Sequence, residues 1–169
     1  PSKKDVVLGI SASGMTPFVR GALTSARQAG CRVVFITCDP RNELQAFVDL
    51  TIAPAVGPEV IAGSTRLKAG TATKIVLNML TTSAMILTGK TYGNLMVDLR
   101  ATNIKLRRRA VLLTARASGA SDEASQQMLE ACAYRVKVAI VALKRGTDAA
   151  AADALLAQCE GSVRRALAD

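Results

Sequence analysis

Short unbroken apolar runs alternate with amphipathic stretches through the first sixty residues. "DVVLGI" (5–10) is β-branched and continuous, which predicts a strand covered on both faces. "SASGMT" follows as a loop. Thr16 suits a helix N-cap and Pro17 the first helical position, so a helix is predicted to Ala29, stopped by Gly30. "CRVVFITCD" (31–39) predicts a second buried strand, Pro40–Asp49 a short helix, and "LTIAPAV" (50–56) a third, weaker strand. The order β-α-β-α-β calls for parallel strands joined by helical crossovers. Beyond residue 64 the period changes to that of helices. The predicted helices run over Thr65–Thr88, ended by Gly89, and over Asn94–Ala117, where Leu95, Leu99, Leu106 and Leu113 are spaced among Arg and Lys and Gly119 is the stop. A further helix runs from a Ser121 cap to Arg145, closed by Gly146, another from a Thr147 cap through Gln158, and a last short one follows Gly161.

The fold class expected is therefore α/β: a partial, doubly wound parallel sheet of three strands, followed by an all-helical tail. Residues 1–90 would form the α/β part, 91–117 a connecting helix and 118–169 a small three-helix domain. A three-stranded parallel sheet is unusual alone, because such sheets are covered on both faces and the first strand would present an unpaired apolar edge. Another chain, or a segment upstream of Pro1, is expected to complete it.

Composition narrows the chemistry. Half of the 169 residues are hydrophobic but only 3% are aromatic, with no Trp, so the core is aliphatic. The absence of His removes imidazole bases, His-containing metal sites and Ser-His or Cys-His pairs from this chain. A net charge of +9 favours anionic partners of any kind. Nucleic acid is not expected, because Tyr92, Tyr134 and three Phe are too scattered for base stacking. Arg107-Arg108-Arg109 reads as the solvated side of a helix. Cys31, Cys38, Cys132 and Cys159 show no C-x-x-C spacing and read as small apolar residues in a reducing compartment. "IVLNMLTTSAMIL" is too short and too interrupted to span a bilayer. A soluble, cytoplasmic protein without a membrane partner is expected.

Two stretches carry more polar chemistry than their structure requires. In "GISASGMTP" a strand end, a tight loop and a helix start follow one another, the place where open α/β sheets bind ligands. Ser11, Ser13 and Thr16 supply hydroxyls there. Hydrogen bonds to a charged group contribute roughly 1.5–3 kcal/mol each, against an association cost of at least about 4 kcal/mol. Such a loop suits modest affinity for a phosphorylated metabolite. Capping by Thr16 and turning by the serines would explain the same residues. The loop is neither a Walker loop nor a G-x-G-x-x-G fingerprint. In "GPEVIAGSTRLKAGTATK" (57–74), Ser64 and Thr65 stand at a predicted helix start and Glu59 is the one carboxylate. Arg66 and Lys68 oppose the helix dipole by about 0.3–1 kcal/mol each, a misfit that favours anion binding over simple decoration.

"GPEVIAGSTRLKAGTATK", with "GNLMVDLRATNIKL" downstream and "DVVLGISASGMTPFV" before it, resembles the bacterial N-acetylmuramic acid 6-phosphate etherases of the sugar isomerase (SIS) fold. The first stretch is also similar to the glucokinase regulatory protein. The likeness covers nearly the whole chain and corresponds to the C-terminal half of such an enzyme, ending in a helical, ubiquitin-associated-like domain. It implies a homodimeric lyase of cell-wall recycling that yields N-acetylglucosamine 6-phosphate and D-lactate without metal or organic cofactor. It places Ser11, Ser13, Thr16, Glu59, Ser64 and, more weakly, Lys68 around a phosphosugar. The family's two catalytic glutamates and its first phosphate loop lie upstream of residue 1 and match nothing here, so the chain alone is expected to be inactive. Met15 stands where the family often has a basic residue. A non-catalytic sugar-phosphate sensor is the alternative; an aldose–ketose isomerase is disfavoured because it would want a His.

Overall fold

A computed structural model describes residues 1–168, which divide into two compact units, Pro1–Leu80 and the remainder from Thr81. The first unit holds a parallel sheet in the order β1 (Val6–Ile10), β2 (Arg32–Ile36), β3 (Leu50–Ile52). Val6 lies opposite Arg32 and Ile10 opposite Ile36, while Val34 lies opposite Leu50. Helix α1 (Pro17–Gln28) crosses between β1 and β2, and a single 3-10 turn (Glu43–Ala46) between β2 and β3. The expected crossover helix over 40–49 is thus reduced to one turn. It is started by Asn42, whose side chain accepts from the Leu44 N–H at 3.0 Å.

The central strand is buried at Val33, Phe35 and Ile36, and Leu23 and Ala26 of α1 cover it. Gly9 lets α1 come close, since a Cβ there would lie 2.7 Å from the Leu23 Cδ1. The outer strands differ from expectation. β1 is not buried on both faces: Val6 is 62% exposed, and across the sheet Leu50 of β3 is 55% exposed. Among the described residues β1 pairs with β2 alone, so the edge anticipated from the sequence is present. The third strand stops at Ile52 rather than continuing to residue 56, because Pro54 has no N–H to extend a ladder.

Helix α2 (Lys68–Leu87) begins in this unit. The second unit takes in the end of α2 and then a hairpin, β4 (Thr91–Tyr92) and β5 (Leu95–Met96), where a helix from Asn94 was expected. Gly93 at φ 58° supplies the positive φ of a two-residue hairpin turn, and the helix itself, α3 (Ile104–Ser118), starts after Asn103. The helix expected over Ser121–Arg145 is two: α4 (Asp122–Ala131) and α5 (Val136–Arg145). Ala133 and Tyr134 separate them in left-handed conformations, φ 50° and 58°. Nothing in their identity signals this break. Tertiary contacts hold it: Leu129, Cys132 and Val136 are buried on either side, the Tyr134 N–H donates to the Leu129 carbonyl at 2.7 Å, and the Arg107 guanidinium lies over the Tyr134 ring at 4.8 Å. Helices α6 (Ala149–Gln158) and α7 (Val163–Ala166) complete the unit. The cap of α6 is Asp148, one residue after the expected Thr147.

Candidate functional site

The loop between β1 and α1 is pinned at both ends. The Ser11 N–H donates to the Ile36 carbonyl at 3.0 Å, continuing the sheet ladder, and the Gly14 N–H returns to the Ser11 carbonyl at 2.9 Å. Gly14 has φ 74°, and a Cβ there would fall 2.1 Å from the Asn42 Nδ2. No other residue fits without displacing the Asn42 side chain. This tight turn brings the Ser11 and Thr16 hydroxyls together at 2.9 Å, with Ser11 only 5% exposed.

Thr16 occupies the N-cap position of α1, as expected, but its side chain makes no capping bond. Its hydroxyl faces Ser11 instead. Of two paired hydroxyls, one donates to the other, and the second keeps its hydrogen for an outside acceptor. Ser13 is exposed, its Oγ 3.5 Å from the Met15 N–H. With no acidic residue in the first turn of α1, the loop offers hydroxyl donors and a positive helix end, a setting suited to an anion. Beside it lies a hollow of about 270 Å³ whose walls include Gly14, Met15, Thr16, Arg20, Asn42 and Glu43. Its Arg20–Glu43 ion pair, at 3.2 Å, is exposed. That volume is at the small end for a ligand site, enough for part of a sugar phosphate.

The second stretch is organised by Glu59. Its Oε1 accepts from the Ala69 N–H at 2.9 Å and its Oε2 from the Lys68 N–H at 3.0 Å. The Ala69 amide, then the Lys68 amide and ammonium, hold the Glu59 carboxyl below its ordinary range. The helix therefore starts at Lys68 and not at Thr65: Glu59, from nine residues upstream, caps it there. This also removes the misfit seen in the sequence. Arg66 precedes the helix, and a carboxylate occupies the positive end. Lys68 is exposed and its Nζ reaches to 3.9 Å from where a Cβ on Gly57 would stand. Ser64 is half-buried in the intervening loop, its N–H bonded to the Ile61 carbonyl at 3.0 Å and its carbonyl accepting from the Leu67 N–H at 3.3 Å.

Among the described residues no hydrogen bond joins Ser11, Ser13 or Thr16 to Glu59, Ser64 or Lys68. The two groups are linked through residues that sequence reasoning passed over, Thr37 and Cys38, at the end of β2. The Cys38 N–H donates to the Ala12 carbonyl at 2.9 Å, and the fully buried Thr37 Oγ1 to the same oxygen at 3.4 Å. The Cys38 Sγ lies 3.6 Å from the Ala69 carbonyl and 3.9 Å from the Thr73 Oγ1. The available signal was positional: a polar Thr-Cys-Asp at the carboxyl end of a buried strand, where α/β sheets place their sites. All four cysteines are free. Among the described residues no three His, Cys, Asp or Glu side chains are grouped to hold a metal, and no helix is long and apolar enough to cross a membrane.

Comparison with known proteins gives the relatives of this chain. Residues 2–83 match the family model of the SIS domain. The chain is 48% identical over 168 residues to the N-acetylmuramic acid 6-phosphate etherase of Aliivibrio fischeri strain MJ11, covering 99% of this chain and 56% of that protein. It is 47% identical over 166 residues to N-acetylmuramic acid 6-phosphate etherase 1 of Bacillus licheniformis, covering 98% of this chain and 55% of that protein. The corresponding enzyme 1 of Vibrio cholerae serotype O1 is 48% identical over 166 residues, with the same coverage of 98% and 55%. The chain spans a little over half the length of these curated relatives, in their C-terminal part.

Proposed function

We propose, from a chain that carries a SIS domain and is homologous along its length to N-acetylmuramic acid 6-phosphate etherases, that it forms the C-terminal portion of a lyase acting on that sugar phosphate. The overall reaction takes N-acetylmuramic acid 6-phosphate and water to N-acetylglucosamine 6-phosphate and D-lactate. In the open-chain sugar the C2 proton is acidified by the neighbouring aldehyde. A carboxylate removes it as the C3–O bond breaks, lactate leaves with a proton from an acid, and water adds to the alkene.

The observation that carries this reading is the Ser11–Thr16 hydroxyl pair at 2.9 Å, standing in the segment that matches the SIS domain. Ser11, Ser13 and Thr16 hold the phosphate, and the loop of Glu59, Ser64 and Lys68 borders the sugar. Glu59 is not the acid that protonates lactate. Both of its oxygens are bonded to helix N–H groups and its pKa is lowered, whereas that role calls for a raised one. The proton-transferring carboxylates then come from the upstream part of the polypeptide, and the 169-residue chain alone is inactive. The enzyme works as a cytoplasmic homodimer, with the exposed apolar side chains of α2, among them Ile75 and Met79, in its subunit interface.

The sensor reading keeps one supporting observation, the same non-catalytic role of Glu59. D-lactate release from N-acetylmuramic acid 6-phosphate separates the two. The full-length polypeptide is expected to release lactate and the present chain to release none. A full-length protein that binds N-acetylglucosamine 6-phosphate and releases no lactate would replace the lyase with the sensor.

A further inference from the structure

Ala69 is held from two sides. Its N–H is bonded by the Glu59 carboxylate at 2.9 Å, and its carbonyl faces the Cys38 thiol at 3.6 Å. Cys38 in turn donates its own N–H to the Ala12 carbonyl at 2.9 Å, inside the hydroxyl loop. Ala69 is buried and Cys38 half-buried, so water competes little for these contacts. A thiol is a weak donor with a long reach. Here the length matters, because Thr73 one turn further along α2 also comes to 3.9 Å, and a single sulfur contacts two successive turns of the helix. Thr37 gives the strand side of the junction a second hold on the Ala12 carbonyl, at 3.4 Å. The result is a continuous path of named contacts from Ser11 and Ala12 through Cys38 and Ala69 to Glu59.

We propose that Cys38 is a positioning residue that fixes the spacing between the hydroxyl loop and the Glu59 loop, so that the two walls of the phosphosugar site move as one body. The proposal rests on the reading of Ser11, Ser13 and Thr16 as phosphate ligands only for its functional consequence; the mechanical link stands on the contacts themselves. Cys38 touches no reacting atom in this account. It acts by keeping the start of α2, and with it Ser64 and Lys68, at a set distance from the hydroxyl pair. A physical network of this kind is established by coupling and not by adjacency.

The test is a double-variant cycle in the full-length polypeptide, with Cys38→Ala, Glu59→Gln and the pair. It is read by amide hydrogen exchange at Lys68, Ala69 and Gly14 and by titration with N-acetylglucosamine 6-phosphate. Cys38→Ala is expected to speed exchange at Lys68 and Ala69, and to weaken the sugar phosphate about three- to tenfold while leaving inorganic phosphate within about twofold. The double variant is expected to be no worse than the poorer single one. Cys38→Ser retains a small polar side chain at the position and serves if the alanine variant fails to fold; its shorter reach is expected to give a smaller change in the same direction. Unchanged exchange at Lys68 and Ala69 in Cys38→Ala, or effects that simply multiply in the double variant, overturn the link. A wild-type protein that takes up no sugar phosphate refutes the functional reading instead, and the exchange data still decide the coupling.

Discussion

In the unit beginning at Thr81, helices α3, α4, α6 and α7 each start at a side chain that accepts from an N–H three residues on: Asn103 at 2.9 Å, Ser121 at 3.2 Å, Asp148 at 2.8 Å and Ser162 at 3.3 Å. Its core is continuous, with Leu129, Val136, Ile140, Val141 and Val163 fully or almost fully buried. In the unit Pro1–Leu80 the same chemical groups are used otherwise. Thr16 stands at a cap position and turns its hydroxyl to Ser11, and α2 is capped by a carboxylate brought from nine residues away. Exposed apolar side chains do not separate the two units, with Met15 at 80% and Phe18 at 81% exposure in this one and Leu87 at 86% and Ile104 at 75% in the other. Local rules are satisfied where the task is to hold together and set aside where polar groups are gathered at a sheet end.

That contrast can be tested from its strong end downward. Ile140→Ala in the helical unit is expected to cost about 3 kcal/mol in denaturant unfolding, whereas Val6→Ala at the open strand edge should change stability by about 0.5 kcal/mol or less. A large loss at Val6 in the full-length polypeptide would show that the edge is covered there. Ser11→Ala is expected to weaken N-acetylglucosamine 6-phosphate about tenfold or more, the loss of one hydrogen bond to a charged group, with the melting temperature nearly unmoved. An equal loss of stability and affinity would make Ser11 structural. Asp148→Ala removes a working cap and is expected to cost about 1 kcal/mol, while Thr16→Ser removes none, keeps a hydroxyl for the buried Ser11, and should cost about 0.5 kcal/mol or less. Equal costs in thermal unfolding would erase the difference between the units.

The gentlest probe is pH. The Glu59 carboxyl is lowered from 4.5, so its hold on α2 is at full strength above that value and fades as pH falls through the lower, folded-state one. Protection of the Lys68 and Ala69 amides, corrected for intrinsic exchange, should fall along that course and be independent of pH in Glu59→Gln.

The three strands, α1 and the open edge were legible in the sequence because continuous β-branched runs and the Thr16-Pro17 start are local signals. The hairpin was legible but unread: Gly93-Asn94 is a turn dipeptide, overridden by the leucine spacing that follows it. The break at Ala133 and Tyr134 was not legible, since packing around Leu129 and Cys132 imposes it on residues with no preference for it. The site divides in the same way. Ser11, Ser13 and Thr16 announce themselves as hydroxyls in one loop. The Glu59 cap spans nine residues with no period to betray it, and Cys38 is marked only by its place in Thr-Cys-Asp at the carboxyl end of a buried strand.

The crowding at Gly14 has a genetic consequence. Every missense change that one base substitution can produce at a glycine codon brings in a β-carbon, and all of them meet Asn42 in the same way. The neighbouring Met15 is exposed, and its codon carries no such shared steric constraint. A change at residue 14 is therefore expected to displace the Asn42 side chain whichever amino acid has arrived, and one at residue 15 has no such shared effect.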